Sequence, residues 1–334
     1  MTLSKRSLNA HGASIRVHLG LADAGNKRFA QTGESGWPQR AIRLIVPFPA
    51  GSSTDIVARI VAQKLGLGLG QQVVIENRPG ASGNIGAEVV ARAVPDGYTI
   101  GIATASTHAV AASLSAALPY DPVKDFAPIG MIGGQPYVLV VHPALAVHSL
   151  SDLINLAKAK PRGLNYGSAG VASLAHLATA LFAKMAGVEI THVPYKSSSQ
   201  SMVDMITGRL DMQLATVAPS LPNVRAHQLR AVATSGRERV PVLPEVPSIA
   251  ESGLAGYEAV LWIALVAPAG TAPAIVARLN SELNGVLGSR NAKEALDAQG
   301  VQSEPGQPGA VTERIHADTE KWRAVVAQIG IRSE

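Results

Sequence analysis

An apolar run that ends in a Pro/Gly turn and a helix cap constrains the fold of this chain more than any other feature. It occupies residues 42–55 and reads Ile-Arg-Leu-Ile-Val-Pro-Phe-Pro-Ala-Gly-Ser-Ser-Thr-Asp. The pattern predicts a buried strand followed by a helix, and such a junction points unpaired N–H groups and a positive helix end at the space above it. A similar junction, Leu-Asn-Tyr-Gly-Ser-Ala-Gly-Val-Ala-Ser, occupies residues 164–173. Together they predict a small organic acid held from two sides.

Composition places the chain among globular proteins. Its 334 residues are enough for two lobes with separate cores, and 47% hydrophobic against 16% charged residues leaves no disordered bulk. The net charge of +5 comes from scattered Lys and Arg, without a basic cluster joined to aromatic residues. That distribution argues against nucleic-acid binding, although a modest positive field would help to collect anions.

Several kinds of site are excluded or disfavoured by residue counts and spacing. The chain has no cysteine, which excludes disulfides, thiolate metal sites and cysteine nucleophiles. Its nine histidines lack the spacing of metal ligands, so we expect no metal and no cofactor. No apolar run approaches the roughly 20 residues that a membrane-spanning helix needs.

Strand and helix patterns alternate from residue 42 onwards. They predict strands at 42–48, 72–76 and 98–103, separated by helices at 54–65 and 85–93. This β-α-β-α-β order predicts a parallel sheet with right-handed crossovers. The Gly-Leu-Gly-Leu-Gly run that follows the first helix does not follow a strand, so we interpret it as a helix stop and not as a nucleotide-binding loop.

Two long apolar stretches, at 127–142 and 257–268, predict that the chain passes twice between lobes. We therefore predict an α/β fold like that of periplasmic binding proteins, in which two crossover strands join two α/β lobes around a ligand cleft. Residues 37–134 and 259–334 form the first lobe, and residues 135–258 form the second. Residues 1–36 lack the apolar core of a secretion signal and are predicted to be a poorly ordered extension.

An ordered series of motifs resembles the Bug-type solute receptors, the substrate-binding components of tripartite tricarboxylate transporters. The series runs from about residue 37 to residue 331 and reads PFPAGSSTDIVAR, VIENRPGASGNIGAE, PDGYT, LPYDPVKDFAPI, LNYGSAG, HVPYK, LPEVPSIAESGLAGYE and APAGT. Some of these motifs are weak individually, but their order is highly specific. The resemblance implies a two-lobed periplasmic receptor for small carboxylates that works with the membrane subunits of a transporter. We expect it to be a monomer.

The resemblance also implies the residues of the site, which come from three loops. The first-lobe loop contributes Ala50, Gly51, Ser52, Ser53, Thr54 and Asp55; the loop after the third strand contributes Thr104, Ser106 and Thr107; and the second-lobe loop contributes Gly167, Ser168, Ala169, Gly170 and Ser173. Thr216 is a further candidate. It stands near a position where the family often has an acidic residue, and its neutrality argues against an amino-acid ligand whose ammonium group needs a carboxylate partner.

Each candidate also has a purely structural interpretation. Ser53, Thr54 and Asp55 can serve as a helix cap with an acid favoured by the helix dipole, and the serines of the second-lobe loop can also be caps. Asp55 is expected to order the loop or a water molecule instead of touching a carboxylate. His108 is expected to be solvated or structurally bonded. Lys196 is either an attractor of anions or a solvated lysine at a helix start.

Two other functions are open at this point. A sensing module would bind the same acid and report it to a signalling partner. A hydrolase would use Ser168 or Ser53 as its nucleophile, but the sequence around Ser168 lacks the Gly-x-Ser-x-Gly spacing of a nucleophile elbow. The sequence therefore favours a non-enzymatic receptor.

Overall fold

The computed structural model describes residues 36–114 and 118–330. The prediction about residues 1–36 falls, except for its last residue, outside this range. From Pro38 onwards the chain forms one compact unit. None of the helices in the described ranges is long and apolar enough to cross a membrane.

The described chain contains ten strands and ten α-helices, which alternate from β1 to β8. The strands are β1 (Ile42–Val46), β2 (Val73–Asn77), β3 (Thr99–Thr104), β4 (Phe126–Val141), β5 (Asn165–Ser168), β6 (Thr191–Pro194), β7 (Met212–Thr216), β8 (Arg230–Thr234), β9 (Val260–Pro268) and β10 (Gln302–Ser303). The helices are α1 (Ser53–Leu69), α2 (Asn84–Ala91), α3 (Ala111–Leu114), α4 (Leu150–Ala159), α5 (Leu174–Ala186), α6 (Ser198–Ile206), α7 (Val217–Arg225), α8 (Pro273–Gly288), α9 (Arg290–Asp297) and α10 (Gly309–Ile329). A 3-10 turn (Ala81–Gly83) precedes α2, and a π-helical segment (Ser106–Val110) precedes α3.

The strands follow the order β2-β1-β3-β9-β4-β7-β5-β6, with β10 and β8 also paired to β4. The β1–β2 and β1–β3 pairs are parallel, as the β-α-β-α-β pattern predicts. The β5–β6 and β5–β7 pairs repeat this arrangement in the second lobe. Parallel strands that are each followed by a helix place the helix N-termini at one edge of each lobe. The cleft lies at these edges.

β4 explains why the predicted apolar stretch is so long. Through Pro136 it pairs antiparallel with β9 in the first lobe, and from Tyr137 it pairs with β7 and β8 in the second. The same strand therefore serves both sheets, which is why it reaches 16 residues. Glycines at 133 and 134 and two register shifts bend its first half. The lobe limits stated above remain a prediction.

Two expectations about local structure are wrong. α1 does not stop at residue 65 but continues to Leu69 and ends at Gly70, which adopts the left-handed conformation with φ 67°. A Cβ on Gly68 would lie 2.0 Å from a Glu282 side-chain oxygen, so Gly68 permits close contact with α8. The segment after β3 is also not a simple turn, because residues 106–114 are helical.

Apolar side chains on both faces of the sheet are buried, and many of them belong to one of two clusters. The larger includes Ile45, Trp262 and Trp322, and the smaller includes Val138, Met205 and Leu221 of the second lobe. Burial on both faces accounts for the continuous apolar runs of β1, β3 and β9. These cores hold the strand ends, and therefore the loops of the cleft, in fixed positions.

Candidate functional site

A cleft of about 620 Å³ lies where the loops of both lobes meet. Four segments supply most of its lining: the loop before α1, the turn before α2, the loop before α5 and the start of α6. The lining residues are Pro47–Pro49, Ser52–Thr54, Pro79–Gly83, Ser106, Tyr137, Ala169–Val171, Ser173–Ala175, Tyr195–Ser199, Met202, Ala215, Thr216, Pro219 and Leu261. Its volume suits a small organic ligand.

The start of α1 is held by a buried carboxylate beneath the loop. Asp55 is 1% exposed, and its side chain accepts hydrogen bonds from the backbone N–H of Gly51 (2.9 Å), from Asn77 Nδ2 (2.8 Å) and from Arg59 Nε (2.9 Å). Burial alone would raise the pKa of Asp55, but the hydrogen bonds from Arg59, Asn77 and Gly51 outweigh it and lower this pKa. The ionised carboxylate therefore orders the loop from below and does not line the cleft.

Three hydroxyls at this helix start have different capacities to bind an anion. Ser52 Oγ caps α1 by accepting from the Asp55 N–H at 3.3 Å, which leaves its own proton available. Ser53 Oγ donates its proton to Gln135 Oε1 at 2.7 Å, so only its backbone N–H can serve a ligand. The Thr54 hydroxyl has no hydrogen-bond partner in the described part of the chain. Ser52 and Thr54 are thus the donors of this loop.

The second-lobe loop is shaped by its own serines. Ser173 caps α5 by accepting from the His176 N–H, and it donates to the Gly170 carbonyl at 2.8 Å. Ser168 is fully buried, and its hydroxyl lies 3.0 Å from the Gly170 carbonyl and 2.7 Å from His192 Nε2. The side chains of both serines are therefore bonded within the protein, and the loop offers N–H groups to the cleft.

The segment after β3 sends one hydroxyl into the cleft. Thr104 and Thr107 are fully buried and hydrogen-bond to each other, with 3.2 Å between their hydroxyl oxygens. His108 is also fully buried; its Nδ1 lies 2.9 Å from the Thr107 hydroxyl, and burial lowers its pKa to about 3. Ser106 alone lines the cleft, because its neighbours support the π-helical turn from behind.

Among the described residues, two hydrogen bonds cross the cleft directly. Ser82 Oγ of the first lobe donates to the Val171 carbonyl of the second at 3.0 Å. The Leu174 N–H at the start of α5 donates to Ser106 Oγ at 3.4 Å, which leaves the Ser106 proton free. Because both bonds connect opposite lobes, the structure represents a closed arrangement.

The electrostatic character of the cleft is simple. Lys196 is the single charged residue among the described residues that line it, and no acidic residue is among them. The Lys196 side chain is exposed and makes no ion pair within the described ranges. Apolar side chains such as Phe48, Leu174 and Leu261 supply much of the remaining wall. The site therefore combines an apolar body with N–H and hydroxyl donors, and it favours an anion.

Eight of the fifteen predicted site residues line the cleft, and seven do not. Those that line it are Ser52, Ser53, Thr54, Ser106, Ala169, Gly170, Ser173 and Thr216. Ala50 and Gly51 are exposed outside the lining, whereas Asp55, Thr104, Thr107, Gly167 and Ser168 are buried behind it. Whether the eight bind a ligand remains a prediction. The other seven are placed to support the loops.

Some lining residues were not among the predicted site residues. Tyr137 lies where β4 crosses between the lobes, inside a continuous apolar run that hides its polar hydroxyl from pattern analysis. The turn at residues 79–83 and the serines at 197–199 also line the cleft. A usable signal was present: both segments are rich in small residues and lie at or just before a helix start.

The described part of the chain contains no group of three His, Cys, Asp or Glu side chains placed to hold a metal ion. The Ser168–His192 contact superficially resembles a nucleophile with its base. However, Ser168 is inaccessible, and the His192 ring stacks on His176 with 3.9 Å between ring centroids. This pair is therefore part of the second-lobe framework.

Comparisons with known proteins agree with this architecture. A family model described as the tripartite tricarboxylate transporter family receptor, TctC, matches residues 57–331. BugT of Bordetella pertussis is 37% identical over 297 residues, which cover 89% of this chain and 91% of that protein. An R. palustris protein solved with adipate is 39% identical, with a TM-score of 0.85 over 89% of this chain and 99% of that one.

MatC from Rhodopseudomonas palustris, solved with bound malate, is 30% identical, with a TM-score of 0.80 over 87% of this chain and 100% of that chain. These matches confirm the resemblance found in the sequence and the two-lobed binding-protein fold. The chain belongs to the TctC family of tripartite tricarboxylate transporter receptors.

Proposed function

We propose that this protein is a receptor that closes its two lobes over a small organic carboxylate. The observation that carries the proposal is the lining of the cleft, where donors from both lobes converge and no acidic residue is present among the described residues. Ser52 and Thr54 offer hydroxyls, and the starts of α1 and α5 offer N–H groups. A carboxylate that loses water in the cleft needs such donors, because an unpaired buried charge costs several kcal/mol.

The binding energy of such a site is adequate for a receptor. A hydrogen bond to a charged group contributes about 1.5–3 kcal/mol, and a helix N-terminus adds about 0.3–1 kcal/mol. After the costs of association, a few such contacts from each lobe leave about −8 kcal/mol, which corresponds to a dissociation constant on the order of micromolar. This affinity permits both capture and release, and it does not require a buried Arg or Lys.

Related proteins support the choice of ligand class. The R. palustris protein at 39% identity was solved with adipate, and MatC was solved with malate. Both ligands are small carboxylates. By the same relationship, we infer that the receptor acts in the periplasm as a monomer and passes its ligand to the membrane subunits of a tripartite tricarboxylate-type transporter. Sensing for a signalling partner is the alternative, and a pull-down with the membrane subunits distinguishes the two.

Hydrolysis is not favoured by the site. The Ser53 hydroxyl donates its hydrogen bond to Gln135 Oε1, and Ser168 is fully buried outside the cleft lining. Neither serine is placed to attack an ester in the cleft. We propose a protein that binds without catalysis, so an ester substrate should show no turnover above the background rate.

Calorimetry with a panel of acids tests the proposal. Adipate, malate, citrate, glutamate, benzoate and hexanoate are titrated into the wild type and into Thr54→Val, which removes an unpartnered hydroxyl of the cleft. We expect saturable binding of at least one acid, weakened about tenfold or more in the variant. Thr179→Val is the control, because Thr179 is fully buried outside the cleft lining and its hydroxyl donates to the carbonyl of Ala175. Absence of saturable binding across the whole panel refutes the proposal.

A further inference from the structure

Two stacked histidines lie behind the second-lobe loop. His176 belongs to the first turn of α5 and His192 to β6, and their ring centroids lie 3.9 Å apart with an angle of 9° between the planes. The Tyr166 ring of β5 continues the stack, with its centroid 4.9 Å from that of His192. Neither histidine lines the cleft, so any effect of the pair on ligand binding passes through other residues.

His176 holds the loop at a residue with an unfavourable backbone conformation. Ala172 has a φ of 64°, in the left-handed region that residues with a Cβ rarely adopt. Its N–H donates to His176 Nδ1 at 3.2 Å. Ser173 caps α5 by accepting from the His176 N–H, so the histidine reaches back over the cap as the Glu or Gln of a capping box does. The contact requires a lone pair on Nδ1.

His192 holds the other end of the loop. Its Nε2 lies 2.7 Å from Ser168 Oγ. The same oxygen accepts from the Gly170 N–H at 3.2 Å and lies 3.0 Å from the Gly170 carbonyl. Gly170 itself has a φ of 114°, a second position at which the chain is far from extended or helical geometry. The two rings therefore anchor the loop at Ser168 and at Ala172.

The residues between these two anchors face the cleft. Ala169, Gly170 and Val171 all line it, and the Val171 carbonyl accepts the hydrogen bond from Ser82 Oγ of the first lobe at 3.0 Å. A loop that loses its anchors gains conformational freedom, and this freedom must be given up again when a ligand binds. The affinity of the cleft therefore depends on contacts that lie outside it.

We propose that His176 and His192 are positioning residues of the ligand site, which as neutral rings fix the second-lobe loop in the conformation that presents its N–H groups to the carboxylate. This inference rests on the proposed function and adds to it that the second half of the site is held from behind. A second proton on His176 would release the loop, because Nδ1 would then be a donor facing the Ala172 N–H.

Both rings are neutral near pH 7. Burial, with a further contribution from His192, lowers the pKa of His176 to about 4. Burial likewise lowers the pKa of His192 to about 4. A cation in the first turn of α5 would also oppose the helix dipole. His176 therefore keeps the Nδ1 lone pair that the Ala172 N–H needs.

The groups around the pair do not favour its protonation. Tyr166 is neutral because burial raises its pKa, and the strand β7 next to β5 has no titratable residue. His176 also lines a groove of about 530 Å³ that shares no residue with the ligand cleft, and α10 contributes only uncharged residues to it. The charged residues of its described lining are Arg162, Lys184 and Glu189, and Glu189 pairs with Arg162 at 2.8 Å. The groove therefore has an excess of positive charge.

Two substitutions at His176 separate the hydrogen bond from the packing of the ring. His176→Asn places an amide oxygen near the position of Nδ1 and removes the ring, whereas His176→Phe keeps a ring and removes the acceptor. By calorimetry at pH 7, we expect the Asn variant to bind adipate within about twofold of the wild type, and the Phe variant to bind it about tenfold more weakly.

The matched pair at His192 keeps the test decisive if the His176 variants do not fold. His192→Gln retains a polar group near the position of Nε2, and His192→Phe retains only the stacked ring. The Phe variant should again bind adipate more weakly than the Gln variant. Thr179→Val, in the same helix as His176, is the control: it removes a buried hydrogen bond outside the cleft lining and should leave adipate affinity unchanged even if the melting temperature falls.

A pH profile adds a readout that ring packing alone would not move. Protonation of adipate weakens its binding to every variant alike, so the wild type is compared with His176→Asn at each pH. From pH 7 to pH 4 the wild type should lose about twofold in affinity relative to this variant, because about half of the His176 rings are protonated when the pH equals their pKa.

Each other outcome has a definite meaning. Unchanged adipate affinity in both His176→Phe and His192→Phe overturns the inference and leaves the receptor function standing. Equal weakening in the polar and the Phe variants at both positions also overturns it, because ring packing would then matter and the hydrogen bonds would not. A ratio of wild type to His176→Asn that does not change with pH overturns the release by protonation. No binding by the wild type across the acid panel overturns the receptor function and this inference with it.

Discussion

Replacing Asp55 by Asn should lower both the free energy of unfolding and the affinity for ligand, although Asp55 does not line the cleft. The carboxylate receives hydrogen bonds from Gly51, Asn77 and two nitrogens of Arg59. The amide of asparagine has one acceptor oxygen, and its NH₂ group would face N–H donors that now bond to the second carboxylate oxygen. Each hydrogen bond to a charged group contributes about 1.5–3 kcal/mol. The bonds from Arg59 contribute less, because its half-exposed side chain is screened by solvent. We expect a loss of about 2–3 kcal/mol in the free energy of unfolding.

The same substitution releases the Gly51 N–H, so the loop before α1 must be ordered again when ligand binds. Ordering one residue costs about 1–2 kcal/mol, which corresponds to roughly tenfold weaker adipate binding. Urea denaturation and calorimetry measure the two effects. Asp152→Asn is the control, because Asp152 accepts from the N–H groups of His148 and Ser149 at the start of α4, outside the cleft lining. This variant should lose less stability than Asp55→Asn, with unchanged affinity. Unchanged adipate affinity in Asp55→Asn would refute the idea that Asp55 positions the loop.

Three further predictions concern stability. Ser53→Ala leaves the buried Gln135 Oε1 without its 2.7 Å partner, and should lower the free energy of unfolding by about 1–3 kcal/mol in urea denaturation. Gly86→Ala places a Cβ 2.7 Å from the Cα of Pro47, and overpacking of this kind should cost about 1–3 kcal/mol in the same assay. Burial lowers the pKa of His176 and of His192 to about 4, and His192 adds repulsion to the first. Below pH 6.5 the unfolded chain therefore binds more protons than the folded chain. The melting temperature should fall as the pH is lowered from 6.5 to 4, and it should fall less in His192→Gln.

The sequence predicted most elements of the fold because burial leaves a direct pattern in the chain. The continuous apolar runs of β1 and β4 predicted a sheet that is covered on both faces, and the sheet in the structure is covered in this way. Helix ends were less predictable, since Gly68 near the end of α1 lies against Glu282 of α8, and no local pattern reveals a partner so distant in the chain. The π-helical turn after β3 was missed because buried hydroxyls and a histidine look like loop residues in sequence.

The candidate site was predicted at the level of loops but not of individual atoms. A serine next to a helix start can donate to a ligand, cap the helix or bond to another strand, and the sequence does not distinguish these uses. Ser52 caps α1, whereas the Ser53 and Ser168 hydroxyls bond to side chains of β4 and β6. Tyr137 shows the opposite error, because this aromatic residue within an apolar stretch lines the cleft but was not among the predicted site residues.

The continuity of β4 through both sheets also limits how this receptor can tolerate insertions and deletions. Successive side chains of a strand point to opposite faces, so one added or lost residue before Tyr137 would invert the facing of every later position in that strand. Tyr137 would then turn away from the cleft that it lines, and Val138 and Val140, buried in the smaller cluster, would exchange faces with Leu139 and Val141 of the larger. Length variation at this crossing should therefore occur in steps of two residues, or move to the loops outside it.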